Sequence, residues 1–159
     1  MTILKKLLPV GICLCLTIAG KPQSKLEIEE IYRDANSYFY FEDYEEALTL
    51  YLQVYSHQPE NYNLCYRIGF CYLNIPGSKK NAIPYLEKAT GNITRFYREE
   101  SILETKAPPD AIFYLGNAYL VNNQVENAIK EYEKFWTLTR GKGSWNFDYL
   151  NHQMATAKS

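Results

Sequence analysis

The sequence predicts an all-α protein in which three helix hairpins stack side by side into an α-solenoid that ends in a capping helix. Three observations support this fold class. One spacing of small, aromatic and alanine residues recurs three times, turn-forming residues separate the helical stretches, and the last stretch has its apolar residues at helical intervals. At 159 residues, the chain has the length of one domain.

The recurring spacing places Tyr three positions after a small residue, and Ala about twelve positions after it. A bulky residue and then an apolar one follow that Ala. Small residues twelve positions apart do not share a helix face, because an α-helix turns once every 3.6 residues. Two antiparallel helices can bring them together where the backbones approach most closely. The three series are Ala35, Tyr38, Ala47, Tyr51, Val54; Gly69, Tyr72, Ala82, Leu86, Ala89; and Gly116, Tyr119, Ala128, Tyr132, Phe135.

The first hairpin is predicted from a helix at about 26–41 and a second helix that begins at Tyr44. Asp43 is the expected N-cap of the second helix, and Glu46 lies where it would complete a capping box. Pro59 ends the hairpin, because proline clashes with the preceding turn of a helix.

The second hairpin is predicted from a helix at about 62–74 that stops before Pro76. Ser78 or Asn81 is the expected N-cap of its second helix. Pro84 favours the later start, since a proline deep inside a helix removes a hydrogen bond.

An insertion at 93–108 then interrupts the regular spacing, and we expect it to form a long connection with one or two extra helical turns. The third hairpin is predicted from a helix at about 110–121, a turn at Asn122-Asn123 and a second helix that ends at about Thr139. Apolar residues at helical intervals over 145–157 predict a terminal helix, which a solenoid needs because its last repeat would otherwise expose an apolar face.

These series resemble the tetratricopeptide repeat, a helix hairpin of 34 residues. Ala35 and Gly69 are one full period apart, and Leu115-Gly116 followed by Tyr119 matches the family pattern Leu-Gly-x-x-Tyr. The resemblance implies a right-handed solenoid that binds other molecules and does not catalyse a reaction. It places the three repeats at about 28–61, 62–96 and 109–142.

The N-terminus predicts a secretory signal peptide over residues 1–20. Lys5 and Lys6 precede an uncharged apolar stretch at 7–19, and a small-residue site, Ala19-Gly20, follows it. The stretch is short for a membrane span, so we expect no span after cleavage. An uncleaved anchor and a lipid anchor on a leader cysteine are the alternatives. The remaining chain divides into a short linker at 21–25 and a repeat domain at 26–157.

Charge and reactive residues favour binding over chemistry. The formal net charge is −1 and the basic residues are scattered, so the sequence predicts neither a nucleic-acid partner nor an anionic-membrane surface. His57 and His152 lack neighbours at the spacing of a metal site or a catalytic triad. Cys65 and Cys71 are expected to be buried thiols. We therefore predict no enzyme, no cofactor and no metal; the sequence does not indicate the oligomeric state.

In tetratricopeptide arrays, the first helices of successive hairpins line a concave groove. The resemblance therefore implies that a protein or peptide partner binds there, with Asn36 and Asn117, at equivalent repeat positions, bonding to its backbone. The alternative is that these aromatic side chains pack against the insertion, the capping helix or another domain. The predicted partner-binding residues are Tyr32, Asn36, Phe39, Tyr40, Tyr66, Phe70, Asn74, Phe113, Asn117 and Val121, and Leu73 and Leu120 belong to the same surface.

The leader and the repeats together predict an exported scaffold in the periplasm or envelope of a Gram-negative bacterium. The chain also resembles the N-terminal module of envelope proteins in which such repeats precede a WD40-like propeller and an OmpA-like domain. That resemblance supports an alternative role as a bracing module of a larger, peptidoglycan-associated protein. A third hypothesis is an envelope hydrolase or glycan-binding enzyme that uses the insertion at 93–108. It would need acid/base pairs that Glu99, Glu100 and Glu104 alone do not supply.

Overall fold

The computed structural model describes residues 24–99 and 101–139, together with residues 148–149, 152 and 155–156. Within these residues the chain forms six α-helices and one short 3-10 turn. The helices are α1 (Lys25–Tyr40), α2 (Tyr44–His57), α3 (Tyr62–Asn74), α4 (Ala82–Ala89), α5 (Asp110–Val121) and α6 (Val125–Thr139), and the 3-10 turn (Lys79–Asn81) precedes α4.

The helices pack as three hairpins, α1–α2, α3–α4 and α5–α6, and the second helix of each hairpin also packs against the first helix of the next. The predicted all-α stack of hairpins is confirmed. The predicted signal peptide lies outside the described residues. So does most of the predicted capping helix, of which residues 148, 149, 152, 155 and 156 are described and helical.

The small residues lie at the helix crossings, as their spacing predicts. Ala47 is fully buried between α2 and its neighbours. A Cβ atom added to Gly69 would lie 2.5 Å from Leu86 Cγ, and one added to Gly116 would lie 2.6 Å from Tyr132 Cδ1. These distances are too short for real atoms, so only glycine permits α3 and α5 to approach their second helices this closely.

Large side chains on the second helices fill the hairpin interiors. The first and third hairpins contain the same phenol–amide hydrogen bond: the hydroxyl of Tyr51 donates to Asn36 Oδ1 at 2.7 Å, and that of Tyr132 donates to Asn117 Oδ1 at 2.7 Å. The second hairpin has Leu86 at the position of the phenol, where it is fully buried.

The predicted N-cap positions of α2 and α4, Asp43 and Asn81, are confirmed, but the predicted capping bonds of their side chains do not form. Asp43 is the N-cap of α2, but its side chain makes no capping hydrogen bond. The capping box lies instead at α1, where Ser24 and Glu27 bond each other's backbone N–H groups. Neither predicted cap of α4 forms a side-chain capping bond, because α4 continues from the 3-10 turn in helical conformation; the hydroxyl of Ser78 donates to the carbonyl of Tyr72 at 3.0 Å.

Candidate functional site

An aromatic row crosses the first helices of all three hairpins. The ring of Phe39 on α1 lies 5.2 Å from that of Phe70 on α3, which lies 4.7 Å from that of Tyr114 on α5. Tyr66 flanks the row, with its ring 6.3 Å from Phe70 and 6.1 Å from Tyr114. Phe70 and Tyr114 meet edge to face and the other pairs are tilted, and contacts of aromatic rings at these distances are favourable. The structure thus places the predicted residues Phe39, Tyr66 and Phe70 together on one face.

Two predicted groove residues lie in the core instead. Tyr32 is 4% exposed and Phe113 is 3% exposed. Both face the second helix of their own hairpin, where their rings lie 5.9 Å from Tyr51 and 5.8 Å from Tyr132 respectively. Tyr114, the residue after Phe113, faces the groove; the sequence prediction missed it because it aligned α5 on the position of Tyr32.

The three predicted amides differ in how much of their hydrogen-bonding capacity remains free. Asn36 is buried and its Oδ1 accepts from Tyr51, so it is not available to a partner. Asn117 is half-buried and lines a pocket, and its Oδ1 accepts from Tyr132. Asn74 is exposed, and its Nδ2 donates to the carbonyl of Phe70 at 2.9 Å, which leaves its Oδ1 free.

The connecting segment (residues 90–109) folds back onto α1 and α3. Its described residues contain no helical turn, so the prediction of extra helical turns is wrong. Its two ends are instead joined by a parallel bridge between Ile93 and Ala107, where the N–H of Thr94 donates to the carbonyl of Ala107 at 2.9 Å.

Asn63 on α3 holds this segment through its side-chain amide and its backbone N–H, and it also bonds to α1. Its Nδ2 donates to the hydroxyl of Tyr32 at 2.9 Å and to the carbonyl of Glu104 at 3.2 Å, and its Oδ1 accepts from the hydroxyl of Tyr97 at 2.6 Å. Its backbone N–H donates to the carbonyl of Thr105 at 3.1 Å. The side chain is fully buried. The connecting segment therefore occupies the part of the groove between α1 and α3.

Arg67, one turn further along α3, lies beneath the same segment. Its side chain is 1% exposed, and its Nη2 donates to the carbonyl of Glu99 at 2.8 Å. The guanidinium carbon lies 4.8 Å from the ring centroid of Phe39 and 5.8 Å from that of Tyr40. Within the described residues no carboxylate pairs with it, and its Nε and Nη1 have no hydrogen-bond partner. Stacking on rings is a favourable setting for a desolvated guanidinium.

The other end of the groove, between α3 and α5, contains an open pocket of about 380 Å³, called here the groove pocket. Its wall combines aromatic and aliphatic side chains with two amides and one lysine, and none of the described residues that line it is a carboxylate. The pocket brings together residues that the sequence analysis predicted to bind a partner and residues that it did not predict. The lining residues are Phe70, Leu73, Asn74, Lys79, Tyr114, Asn117, Leu120, Val121 and Tyr149.

The phenols at the groove are uncharged hydrogen-bond donors at neutral pH. Burial raises the pKa of Tyr66 well above its usual value. Burial, together with the negative charge of Asp110, raises the pKa of Tyr114 to about 12. Among the described residues that line the groove pocket, Lys79 is the one basic side chain, and it lies beside phenols and amides.

Reactive groups do not converge within the described part of the chain. Cys65 and Cys71 are buried free thiols, and burial raises their pKa values to about 11 and about 12. No group of three possible metal ligands occurs among the described residues. His57 is exposed at the end of α2. None of the helices described here combines the length and apolarity needed to cross a bilayer.

Comparisons with known proteins agree with this architecture. Residues 110–138, which span α5 and almost all of α6, match the family model of the tetratricopeptide repeat. A search of curated proteins found no match.

Three solved structures share the fold. The Yersinia enterocolitica type III secretion chaperone SycD, in complex with a peptide of the translocator YopD, has a TM-score of 0.66 at 15% identity, with 87% of this chain and 97% of that chain covered. The Sgt2 tetratricopeptide domain of Aspergillus fumigatus has a TM-score of 0.60 at 22% identity, covering 89% and 81%. The first tetratricopeptide domain of human RPAP3 has a TM-score of 0.58 at 18% identity, covering 82% and 94%.

At these identities the likeness shows the fold alone. The third hairpin matches the model of the tetratricopeptide repeat, and the three stacked hairpins share the fold of solved structures that include two tetratricopeptide domains.

Proposed function

We propose that this protein is a non-catalytic scaffold that binds a segment of a protein partner in the groove pocket, between α3 and α5. One observation carries the proposal: the aromatic row, after crossing three helices, ends at an open pocket whose wall also holds polar groups with unused hydrogen-bonding capacity. Aromatic anchors surrounded by a few placed polar groups are typical of peptide recognition.

The polar groups suit a peptide backbone. Because the Oδ1 of Asn117 is engaged by Tyr132, its Nδ2 is free to donate to a carbonyl. Because the Nδ2 of Asn74 is engaged by the carbonyl of Phe70, its Oδ1 is free to accept from an N–H group. One donor and one acceptor match the two polar groups of a peptide unit.

The partner is confined to this end of the groove because the connecting segment already fills the other end. Asn63 and Arg67 of α3 bond there to carbonyls of the chain itself. The complex of SycD with a YopD peptide gives a precedent for peptide binding on this fold, and we extend it to this chain as part of the proposal.

Two variants with equal charge change test the proposal. Val121 is 48% exposed in the groove pocket, and Leu26 is 62% exposed on α1 and does not line that pocket. A photo-crosslinking amino acid at position 121 should capture a partner in intact cells. Val121→Glu should abolish recovery of that partner, and Leu26→Glu should leave it unchanged. Equal recovery from both variants, at equal helix content, would remove the groove pocket from the proposal.

We further propose that the scaffold is exported and works in the periplasm or envelope of a Gram-negative bacterium. The support is the basic start, apolar stretch and small-residue site of residues 1–20. The intact mass of the protein isolated from the periplasmic fraction should correspond to a chain that begins at Lys21. A chain retaining Lys5 and Lys6, found in the cytoplasmic fraction, would contradict export.

A second candidate function is a bracing module within a larger envelope protein. Large apolar side chains stand exposed away from the groove pocket, among them Phe41 at 83%, Phe96 at 89% and Leu103 at 76%, and another domain could cover them. The size of the native polypeptide in cells decides between the two. A product well above 18.5 kDa would favour the brace, whereas one at or just below that mass would favour the free scaffold.

A further inference from the structure

A second cavity, of about 740 Å³, lies between α6 and the start of the connecting segment. It shares no lining residue with the groove pocket, so what it binds is independent of the function proposed above. Its volume lies within the range of about 300–1,000 Å³ that is usual for small-molecule sites. The lining residues are Ile93, Arg95, Ile112, Lys130, Glu133, Lys134, Thr137 and Leu138.

The wall of this cavity is apolar and fixed in place. Ile93, Ile112 and Leu138 form it, and all three belong to or pack against the core of the third hairpin. Ile93 is also held by its bridge to Ala107. This wall therefore does not depend on an exposed loop for its position.

The rim of the cavity is predominantly cationic. Arg95 and Lys130 are exposed, and within the described residues neither has an ion-pair partner; Lys134 lies 3.3 Å from Glu131. Glu133 is the carboxylate in the lining. This excess of positive charge stands out in a chain whose formal net charge is −1. Long basic side chains keep their charged ends in water while their methylene stems cover apolar surface.

We propose that this cavity binds an anionic amphiphile, an unbranched apolar chain that ends in a carboxylate. The tail lies against Ile93, Ile112 and Leu138, and the carboxylate lies among the charged ends of Arg95, Lys130 and Lys134. The apolar wall removes the tail from water, and the cationic rim selects the sign of the head group. A cationic head would meet repulsion on the same rim.

Three probes separate the contributions of tail and head. Dodecanoate, dodecyltrimethylammonium and acetate are titrated into the isotope-labelled protein below their micelle concentrations, and backbone amide shifts are followed by NMR. Dodecanoate should move the amides of residues 93–95 and 130–138 and bind at least tenfold more tightly than either other probe. Equal binding of both twelve-carbon probes, shifts spread over the whole chain, or no saturable binding would overturn the proposal.

A charge-reversal pair tests the rim. Lys130→Glu combined with Lys134→Glu should weaken dodecanoate binding at least tenfold and favour dodecyltrimethylammonium. Arg33→Glu combined with Lys80→Glu makes the same change of net charge outside the cavity, and should leave both affinities within twofold of the original protein. Equal effects of the two pairs would show that net charge, and not this cavity, attracts the probe.

A fourth probe distinguishes a peptide occupant. The acidic, apolar peptide acetyl-Glu-Leu-Glu-Leu-amide carries the same two chemistries on a protein backbone. If it saturates the same amides at lower concentration than dodecanoate, the cavity is a peptide site and the amphiphile proposal fails. If the peptide binds only at the groove pocket or not at all, the amphiphile proposal stands. Partner recovery by Val121→Glu tests the groove pocket separately.

Discussion

Asn36 and Asn117 each follow the small residue of a first helix, and each accepts a hydrogen bond from a Tyr fifteen positions later. The sequence contains this spacing twice, at Asn36 and Tyr51 and at Asn117 and Tyr132, so the bond could have been inferred from the residues alone. We predicted instead that both amides bind a partner. The family resemblance identified the repeat position correctly, but it does not show that a buried amide is already engaged inside its own hairpin.

The two phenol–amide bonds should differ in their contribution to stability. In Tyr51→Phe, the Oδ1 of buried Asn36 loses its donor and stays away from water, which should lower the free energy of unfolding by about 1–3 kcal/mol. In Tyr132→Phe, half-buried Asn117 can be hydrated, so the loss should be smaller, about 1 kcal/mol. Urea unfolding of the two variants checks the order. A larger loss in Tyr132→Phe would contradict it.

The buried thiols make stability depend on pH in the alkaline range. The pKa of Cys65 rises from 9.0 to about 11 on folding, and that of Cys71 from 9.0 to about 12. Unfolded chains lose these protons first, so the stabilisation is complete below about pH 9 and is lost as the pH rises towards 11. In the original protein, the urea midpoint of unfolding should be lower at pH 10 than at pH 8. The difference should be smaller in the double variant Cys65→Ala, Cys71→Ala. An equal difference in both proteins would show that the two thiols do not cause the pH dependence.

At the scale of elements, helices were predictable and the connecting segment was not. The bounds of α3 and α5 follow from local signals, because Asn61 caps α3 and acidic Asp110 begins α5. The segment between α4 and α5 has no periodicity of its own. Its conformation depends on contacts with Asn63, 34 positions before Tyr97 and 41 before Glu104. No local pattern encodes pairings over that distance.

Removing the side chain of Asn63 should release the connecting segment. In Asn63→Ala the hydroxyl of Tyr97 and the carbonyl of Glu104 lose their partners, so the free energy of unfolding should fall by about 1–3 kcal/mol. Hydrogen exchange should quicken in residues 94–106 more than in α5 and α6. Tyr97→Phe removes only one of these bonds and should show a smaller effect of the same kind. Unchanged exchange in the segment would show that its fold does not depend on Asn63.

At the scale of the whole molecule, the hairpins share their cores. Leu86 and Ala82 of the second hairpin are buried with Leu115 and Ala118 of the third. Cys65 likewise lies in one buried cluster with residues of the connecting segment and of α5. A hairpin in such a stack does not bury its apolar surface alone, which is why repeat proteins need several units.

A fragment of residues 24–89 should therefore fail to unfold cooperatively. It keeps α1 to α4 but loses Leu115 and Ala118 from one core cluster, and it loses the carbonyls that bond Asn63 and Arg67. Thermal denaturation followed by circular dichroism should give a broad, weak transition, compared with a sharp one for residues 24–139. A sharp transition of the fragment at the same midpoint would show that two hairpins suffice.

The protein could be lengthened by inserting copies of one of its own hairpins. The interior of the added hairpins would depend on which hairpin is copied. Copies of the outer hairpins would carry amides bonded to phenols, whereas copies of the middle hairpin would carry Phe70 and buried Leu86 at the equivalent positions. The first design would yield hairpin interiors joined by hydrogen bonds, and the second would yield apolar hairpin interiors. In this protein the apolar middle hairpin lies between two hairpins that contain a phenol–amide bond, so the stack contains both kinds of interior.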